Sequence, residues 1–436
     1  MVFNHSVKVP AQYKRSAKIL QKAVEERKPI RNLVFEEKRK VRSVSAIIKA
    51  YSDNRDKIEQ LIESSEILTE NPRLDKYLCK VLIAELNFGS KKINCEAKPI
   101  TTVKSYATKF AEILGESGSH GQESKAKKRK PRYVRINTNQ TSVNDFEELL
   151  ASEGFIKVEK VFENYTDFLG SVNELKESEY LHDMHVSGLL VFSSAASKYF
   201  ARHQWVQDKN LFLQDKGTCL VSEILEPKPG STVLDMCAAP GMKSIHCANI
   251  MQNQGTIYSI ERDFNRYKLL CDMTTKAKSS IISPMHADIL EIGDKDVPGV
   301  EYILVDPSCS GSGMQNRLSV TGSDEKDTER LRKLGGLQIK ILSHAMTNFP
   351  NVKRIAYSTC SLYEEENEEV ITKCLSKNEN FKLISCKKAL RNKWNNTGNK
   401  NFEGIGKNCI YSRPDSDFCD GIFIAIFERK DTSKND

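Results

Sequence analysis

Two cysteines stand where a fold would present a reacting group. Cys309 closes Asp306-Pro-Ser-Cys309 after the apolar run YILV (302–305), and Cys360 closes Ser358-Thr-Cys360 after RIAYS (354–358). A cysteine on an apolar stretch is ordinarily a small inert hydrophobe, and Cys79, Cys219, Cys271, Cys374 and Cys386 read that way. Cys309 and Cys360 differ by position, because each leaves a predicted strand at the end where open parallel sheets bind ligands. Cys360 also precedes YEEENEEVITKCL, a helical stretch whose start would lower a thiol pKa. Cytosine carbon 5 is a poor nucleophile, so methylating it requires a thiolate to add first at carbon 6 and a base to remove the carbon-5 proton afterwards. Two thiols and the Asp306 carboxylate beside a methyl donor are the parts of such a cycle. Amino-group methylation needs no adduct, and an aromatic residue commonly fills the Cys309 slot there.

The donor site is read from the end of TVLD (232–235), which runs into Asp235-Met-Cys-Ala-Ala-Pro-Gly-Met-Lys-Ser244. Ala238 and Ala239 let a ligand approach the backbone, Pro240 pre-sets the turn and Gly241 tolerates unusual dihedrals before a helix. The helix-start amides then face the ligand. The loop is not GxGxxG, so it is not a dinucleotide fingerprint. After TIYSI (256–260) stands Glu261, placed to accept both hydroxyls of a ribose, and Asp288 in the segment His286-Ala-Asp288 is placed to meet an adenine edge. Alone, Glu261 would be an ordinary surface acid; the strand-end loop gives it meaning.

These residues need a scaffold. From 216 to 430 short apolar strands, ending with GIFIAIF (421–427), alternate with helical stretches, which predicts an α/β, Rossmann-like domain with a mostly parallel sheet covered by helices on both faces. Residues 131–215, with YVRINT, FEELLASEGF and GLLVF, read as a small α+β module. Residues 1–114 read as a helical domain, most clearly from Asn71 to Gly89, where Asn71 caps, Pro72 takes the first helical position and Leu74, Leu78, Val81, Leu82 and Leu86 share a face. The small polar stretch from Gly115 with the basic run after it (115–130) is a linker, and 431–436 is a polar tail.

The formal charge of +8 over 436 residues permits a polyanionic partner. Its basic run, Lys125, Lys127, Lys128, Arg129, Lys130, Arg132 and Arg135, suits nuclear import, phosphate contact or a solvated linker. A 39% hydrophobic, 28% charged composition excludes a wholly disordered chain. No apolar run reaches spanning length and the N-terminus is polar, so no membrane association or secretion is expected. Twelve cysteines without a Cys-x-x-Cys pair are expected to be reduced thiols without structural zinc or other metal.

DMCAAPGMKS, DPSCSGSG and YSTCSLYEEENEEV, with PRYVRINT and LQDKGTCL, together resemble the Nop/Sun (NSUN) family of RNA cytosine-5 methyltransferases, over about Pro131 to Phe427. DPSCSGSG resembles the subfamily acting on large-subunit ribosomal RNA; other branches usually carry a Pro-Cys dipeptide. The resemblance implies S-adenosyl-L-methionine as cofactor, RNA as partner, Cys360 as nucleophile, Cys309 as the residue that releases product, and Asp306 as a hydrogen-bond partner of the cytosine ring. It implies a cofactor pocket of Cys237, Ala238, Ala239, Pro240, Gly241, Met242, Lys243, Glu261, Arg266, Asp288 and Asp306, with 131–215 as the RNA-binding region. Met242 departs from the family's small residue and Glu261 from its commoner Asp, which bears on pocket shape. Gly311, Ser312 and Gly313 read either as a hinge for a loop over the base or as an ordinary surface loop. A monomer in the nucleus and nucleolus is expected. The alternatives are an RNA-binding ribosome-assembly factor without catalysis, against which the intact motifs speak, and a small-molecule methyltransferase, which needs neither basic linker nor preceding module.

Overall fold

The computed structural model describes residues 7–26, 30–35, 41–117, 130–314 and 327–430. The basic residues Lys125, Lys127, Lys128 and Arg129, most of the expected linker and the 431–436 tail lie outside these. The chain divides into two compact units, one within 1–127 and one over 128–315 and 327–436.

The first unit is helical. Helices Ala11–Glu25, Val41–Asp53, Arg55–Ser65, Lys76–Asn87, Lys98–Ser105 and Ala107–Ser117 pack around Leu20, Ile48, Ile58, Val81, Leu82 and Phe110, all essentially inaccessible. The expected start at Asn71 is corrected. Asn71 instead closes the short helix Ile67–Glu70, its Nδ2 donating to Ile67 O at 2.9 Å. Asp75 is the cap, accepting from Leu78 N at 2.7 Å, an interaction worth about 1 kcal/mol.

The second unit opens with a five-stranded sheet in the order β2-β3-β4-β1-β5, comprising β1 (Arg132–Ile136), β2 (Ile156–Lys157), β3 (Glu179–His182), β4 (Leu189–Phe192) and β5 (Leu211–Phe212). Helices Val143–Ser152, started by a Ser142/Asp145 capping box, and Tyr165–Glu174 complete it. Alternation along β1 splits its side chains between two cores. Val134 and Ile136 pack with Phe146, Leu150 and Phe200, while Tyr133 joins the core that continues into the rest of the unit.

That remainder is an eight-stranded sheet in the order β11-β13-β10-β9-β6-β7-β8, with β12 also beside β13. Its strands are β6 (Thr232–Asp235), β7 (Thr256–Glu261), β8 (Ile282–His286), β9 (Tyr302–Val305), β10 (Arg354–Thr359), β11 (Phe381–Ile384), β12 (Ile410–Ser412) and β13 (Ile422–Arg429). Five neighbours, β8 to β10, are parallel; β13 runs antiparallel to β10 and β11. Residues of β6 and β9 alternate faces: Val233 and Leu304 pack with helices Lys216–Leu225 and Met242–Ile250, and Leu234 and Ile303 with helix Thr328–Thr347 and helix Glu368–Leu375. Burial on both faces explains the unbroken apolar reading of β13, where each buried Ile or Phe contributes about 1.5–3 kcal/mol. The carboxyl ends of β6, β7, β9 and β10 therefore meet at one edge.

Candidate active site

Asp235, almost fully buried at the end of β6, fixes the donor loop. Its Oδ2 accepts from Ser244 Oγ at 2.6 Å, and Ser259 Oγ of β7 donates to Ser244 Oγ at 3.1 Å. Burial raises the Asp235 carboxyl to about 6, against the lowering effect of the Ser244 bond. The loop turns at a cis Ala239-Pro240 peptide and at Gly241, whose φ of 103° is the left-handed region that glycine accepts freely. A side chain at Gly241 would also put Cβ 2.9 Å from Leu270 Cδ1.

A small cleft lies against this loop, lined by Cys237, Ala238, Ala239, Pro240, Met242 and Lys243, with Asp235 and Asp306. Gly241 underlies the cleft without lining it. Glu261, Arg266 and Asp288 are not among its lining residues. Glu261 accepts from Asp263 N at 2.9 Å and lies 3.3 Å from Arg266 Nη1, while Arg266 Nη2 donates to Ala239 O at 2.6 Å. This ties the end of β7 to the donor loop. Asp288 caps a short turn through Leu290 N at 3.1 Å and pairs with Arg262 at 3.3 Å. Asp235 is the lining residue that sequence reasoning left out of the site; its place at the end of TVLD was the available signal.

Parallel pairing of β9 with β10, Tyr357 opposite Val305, brings the two cysteine segments together. Cys309 Sγ and Cys360 Sγ are 2.8 Å apart and both partly accessible. A hydrogen bond between two thiols makes their ionisation unequal. Hydrogen bonding from Cys309, with help from the Lys243 charge, holds the Cys360 thiol below the ordinary thiol range, although burial and nearby carboxylates oppose this. The same bond, then burial and the Cys360 charge, pushes Cys309 well up. The bond therefore favours ionisation of Cys360 over ionisation of Cys309. The helix-start explanation for Cys360 is corrected, since the helix begins at Glu368, beyond an intervening turn at Glu364–Glu366.

Asp306 is held from both sides, accepting from Lys243 Nζ at 2.5 Å and from Ser358 Oγ at 2.7 Å. Burial works against the Lys243 charge, but Asp306 raises its pKa above the usual value. The Gly311–Gly313 hinge is also corrected. Ser312 Oγ accepts from Leu362 N at 2.9 Å and lies 3.3 Å from Ser361 Oγ. Gly313 N donates to Cys360 O at 3.0 Å, Gly421 N donates to Gly313 O at 2.7 Å, and a Cβ on Gly313 would fall 2.2 Å from Gly421 O. These residues pin the Cys309 loop to β13.

Two basic residues offered for phosphate contact face inward instead. Arg135 is 1% exposed and donates to Gln214 Oε1 at 2.7 Å and to Asn249 Oδ1. Lys130 pairs with Asp215 and with Asp420, the latter at 2.9 Å. Among the described residues no group of three or more His, Cys, Asp or Glu could hold a metal ion, and no helix is long and apolar enough to cross a membrane.

A family model described as 16S rRNA methyltransferase RsmB/F matches residues 222–428. Another, for the ferredoxin-like domain of NOL1/NOP2/Sun domain family member 5, matches 130–214. The chain is 49% identical over 434 residues to a 28S rRNA (cytosine-C(5))-methyltransferase of Drosophila melanogaster, covering 99% of both. It is 31% identical over 447 residues to a 26S rRNA (cytosine-C(5))-methyltransferase of Caenorhabditis elegans, covering 97% of this chain and 99% of that one. A solved methyltransferase homologue from Pyrococcus horikoshii superposes with a TM-score of 0.52 at 25% identity, covering 70% of this chain and 88% of the other.

Proposed function

The chain belongs to the NOL1/NOP2/Sun family of RNA cytosine-5 methyltransferases, and we propose that it methylates carbon 5 of a cytosine in large-subunit ribosomal RNA, with S-adenosylmethionine as donor. The observation that carries this reading is the pair of sulfurs of Cys360 and Cys309, 2.8 Å apart on the segments that follow β10 and β9, with Asp306 of the Cys309 segment lining the donor cleft.

The cleft residues fit such a donor. Asp235 and Asp306 suit a ligand bearing an ammonium and a sulfonium, and Ala238 and Ala239 leave its walls low. The Glu261 oxygens keep lone pairs for ribose hydroxyls beyond those used by Asp263 and Arg266. S-adenosylmethionine, when bound, supplies an electrophilic methyl group.

The protein's own part follows from its charges. The Cys360 thiolate adds to cytosine carbon 6, which makes carbon 5 an enamine carbon able to take a methyl group. Asp306, fixed by Lys243 and Ser358, hydrogen-bonds the ring. Once Cys360 is a thioether, the hydrogen bond and the charge through which it raises Cys309 are gone, and burial with the Glu366 and Asp306 charges is what remains to oppose ionisation of Cys309. Cys309, its own proton passed to solvent, then takes the carbon-5 proton, and the electron pair left behind expels Cys360 as a thiolate and restores the ring. One sulfur thus acts first as nucleophile and the other only afterwards as base.

A base stacked in a duplex cannot reach between two sulfurs, so the target is unpaired or flipped out. The module over 131–215 holds the RNA, residues 216–430 carry the chemistry, and the helices within 1–114 form a domain of their own. The protein acts as a monomer in the nucleolus. Bisulfite sequencing of ribosomal RNA from cells lacking the protein tests the substrate. Loss of one large-subunit methylcytosine, restored by wild type and not by Cys360→Ala, is expected; an unchanged methylation map would refute the assignment.

A further inference from the structure

Against the Cys309 loop, and outside the lining of the donor cleft, lie two fully buried polar side chains, Gln338 and Glu366. Glu366 Oε1 accepts from Ser310 N at 2.8 Å and from Gln338 Nε2 at 3.0 Å. Gln338 Nε2 also donates to Ser308 O at 3.0 Å. The residues before and after Cys309 are therefore bridged by one amide and one carboxylate that meet each other.

The elements are arranged for this contact. Gln338 sits on helix Thr328–Thr347 and Glu366 on the turn Glu364–Glu366. A Cβ on Gly335, one helical turn before Gln338, would come 2.7 Å from Glu365 O, so glycine allows helix and turn to approach. Tyr357 Oη donates to Glu366 O at 2.6 Å, tying the turn to β10, whose end carries Cys360. The bridge thus references the position of one sulfur to the strand that bears the other.

Stability alone does not account for it. Glu366 Oε2 and Gln338 Oε1 are buried without a hydrogen-bond partner among the described residues, and a desolvated acid lacking a cation is costly. Apolar side chains of the same size would fill the space at lower cost. The retained cost is explained if the geometry it enforces is used, as supporting shells of reactive groups are.

We propose that Gln338 and Glu366 are positioning residues that hold Cys309 where it can take the carbon-5 proton, so that they govern product release and not adduct formation. This rests on the release role assigned to Cys309 above. Gln338→Met keeps volume and helix propensity but removes the donor, and Gln338→Asn is too short to span both partners. Glu366→Gln keeps an oxygen acceptor for Ser310 and Gln338.

The test uses the full chain, S-adenosylmethionine and deproteinised large-subunit ribosomal RNA from cells lacking the protein, with Cys309→Ala alongside. For both Gln338 variants the first-turnover adduct rate is expected within about twofold of wild type, while the denaturation-resistant adduct at steady state rises about tenfold, as loss of a buried hydrogen bond permits. Glu366→Gln is expected to return the adduct-to-product ratio to wild type. Adduct formation and turnover falling in parallel, or an unchanged ratio in the Gln338 variants, overturns the proposal. Absence of adduct in Cys309→Ala as well places the failure in the release role of Cys309 and removes the basis of the clamp.

Discussion

Replacing Lys216 by Met is expected to destabilise the second unit by about 3–5 kcal/mol, through the charge it abandons and not through lost packing. Lys216 opens helix Lys216–Leu225 and is fully buried, with Nζ 2.6 Å from Asp183 Oδ2 and 4.8, 4.4 and 5.7 Å from the ring centres of Tyr165, Phe168 and Trp394. Asp183, between β3 and β4, accepts from His185 N at 2.9 Å and Val186 N at 3.0 Å. At an effective dielectric of about 20, unit charges at this separation attract by about 6 kcal/mol, which desolvation of both ions largely offsets. The pair is therefore near neutral, whereas Asp183 left alone is not. Asn at position 183 keeps an oxygen for His185 and Val186 and removes the abandoned charge. The double variant Lys216→Met, Asp183→Asn should then be more stable than Lys216→Met alone, with a coupling energy of at least about 2 kcal/mol. Denaturant titration followed by tryptophan fluorescence reads this directly, because both tryptophans, Trp205 and Trp394, lie in the second unit. Lys216→Met within about 1 kcal/mol of wild type, or single effects that simply add, would refute the reasoning.

Gly241→Ala should cost about 1–2 kcal/mol from the left-handed backbone alone, with the Leu270 contact adding to it, and should weaken donor binding by displacing the loop. A thermal midpoint and donor affinity equal to wild type contradict this. Because the Cys360 pKa is lowered, its thiolate appears as pH rises through that lowered value and is lost below it. Alkylation of Cys360 should thus titrate at lower pH than that of the same cysteine in the denatured chain. In Cys309→Ala the midpoint should move up, since the largest lowering influence is gone; a midpoint that stays or falls removes the hydrogen-bond explanation. Gly313→Ala should prevent the Cys309 loop from docking on Gly421 and lower both stability and methylation, measured by thermal melting and tritium transfer.

The strand ends were legible because apolar runs buried on both faces are unbroken, and the residues that follow them, Asp235, Glu261, Asp306 and Cys360, carry the polar groups. Antiparallel β13 was legible as a strand but not in direction, since pairing with β10 is decided by distant chain. β8 gave little signal because it is an edge strand with Pro284 in it and mixed burial. Arg135 and Lys130 misled because charge predicts solvent, while here Gln214, Asn249, Asp215 and Asp420 supply partners from far along the sequence. Asn71 and Asp75 are both good caps, and the hydrophobic face alone does not choose between them. The contact of Gln338 with Glu366 leaves no local trace at all, because helix and turn meet only in the folded chain.

The most direct measurement digests the denaturation-resistant complex formed by Cys309→Ala with large-subunit ribosomal RNA and S-adenosylmethionine, and maps the modified peptide by mass spectrometry. The account predicts a methylated cytosine attached to Cys360. Attachment to another cysteine, or full turnover by Cys309→Ala with no trapped complex, would contradict it.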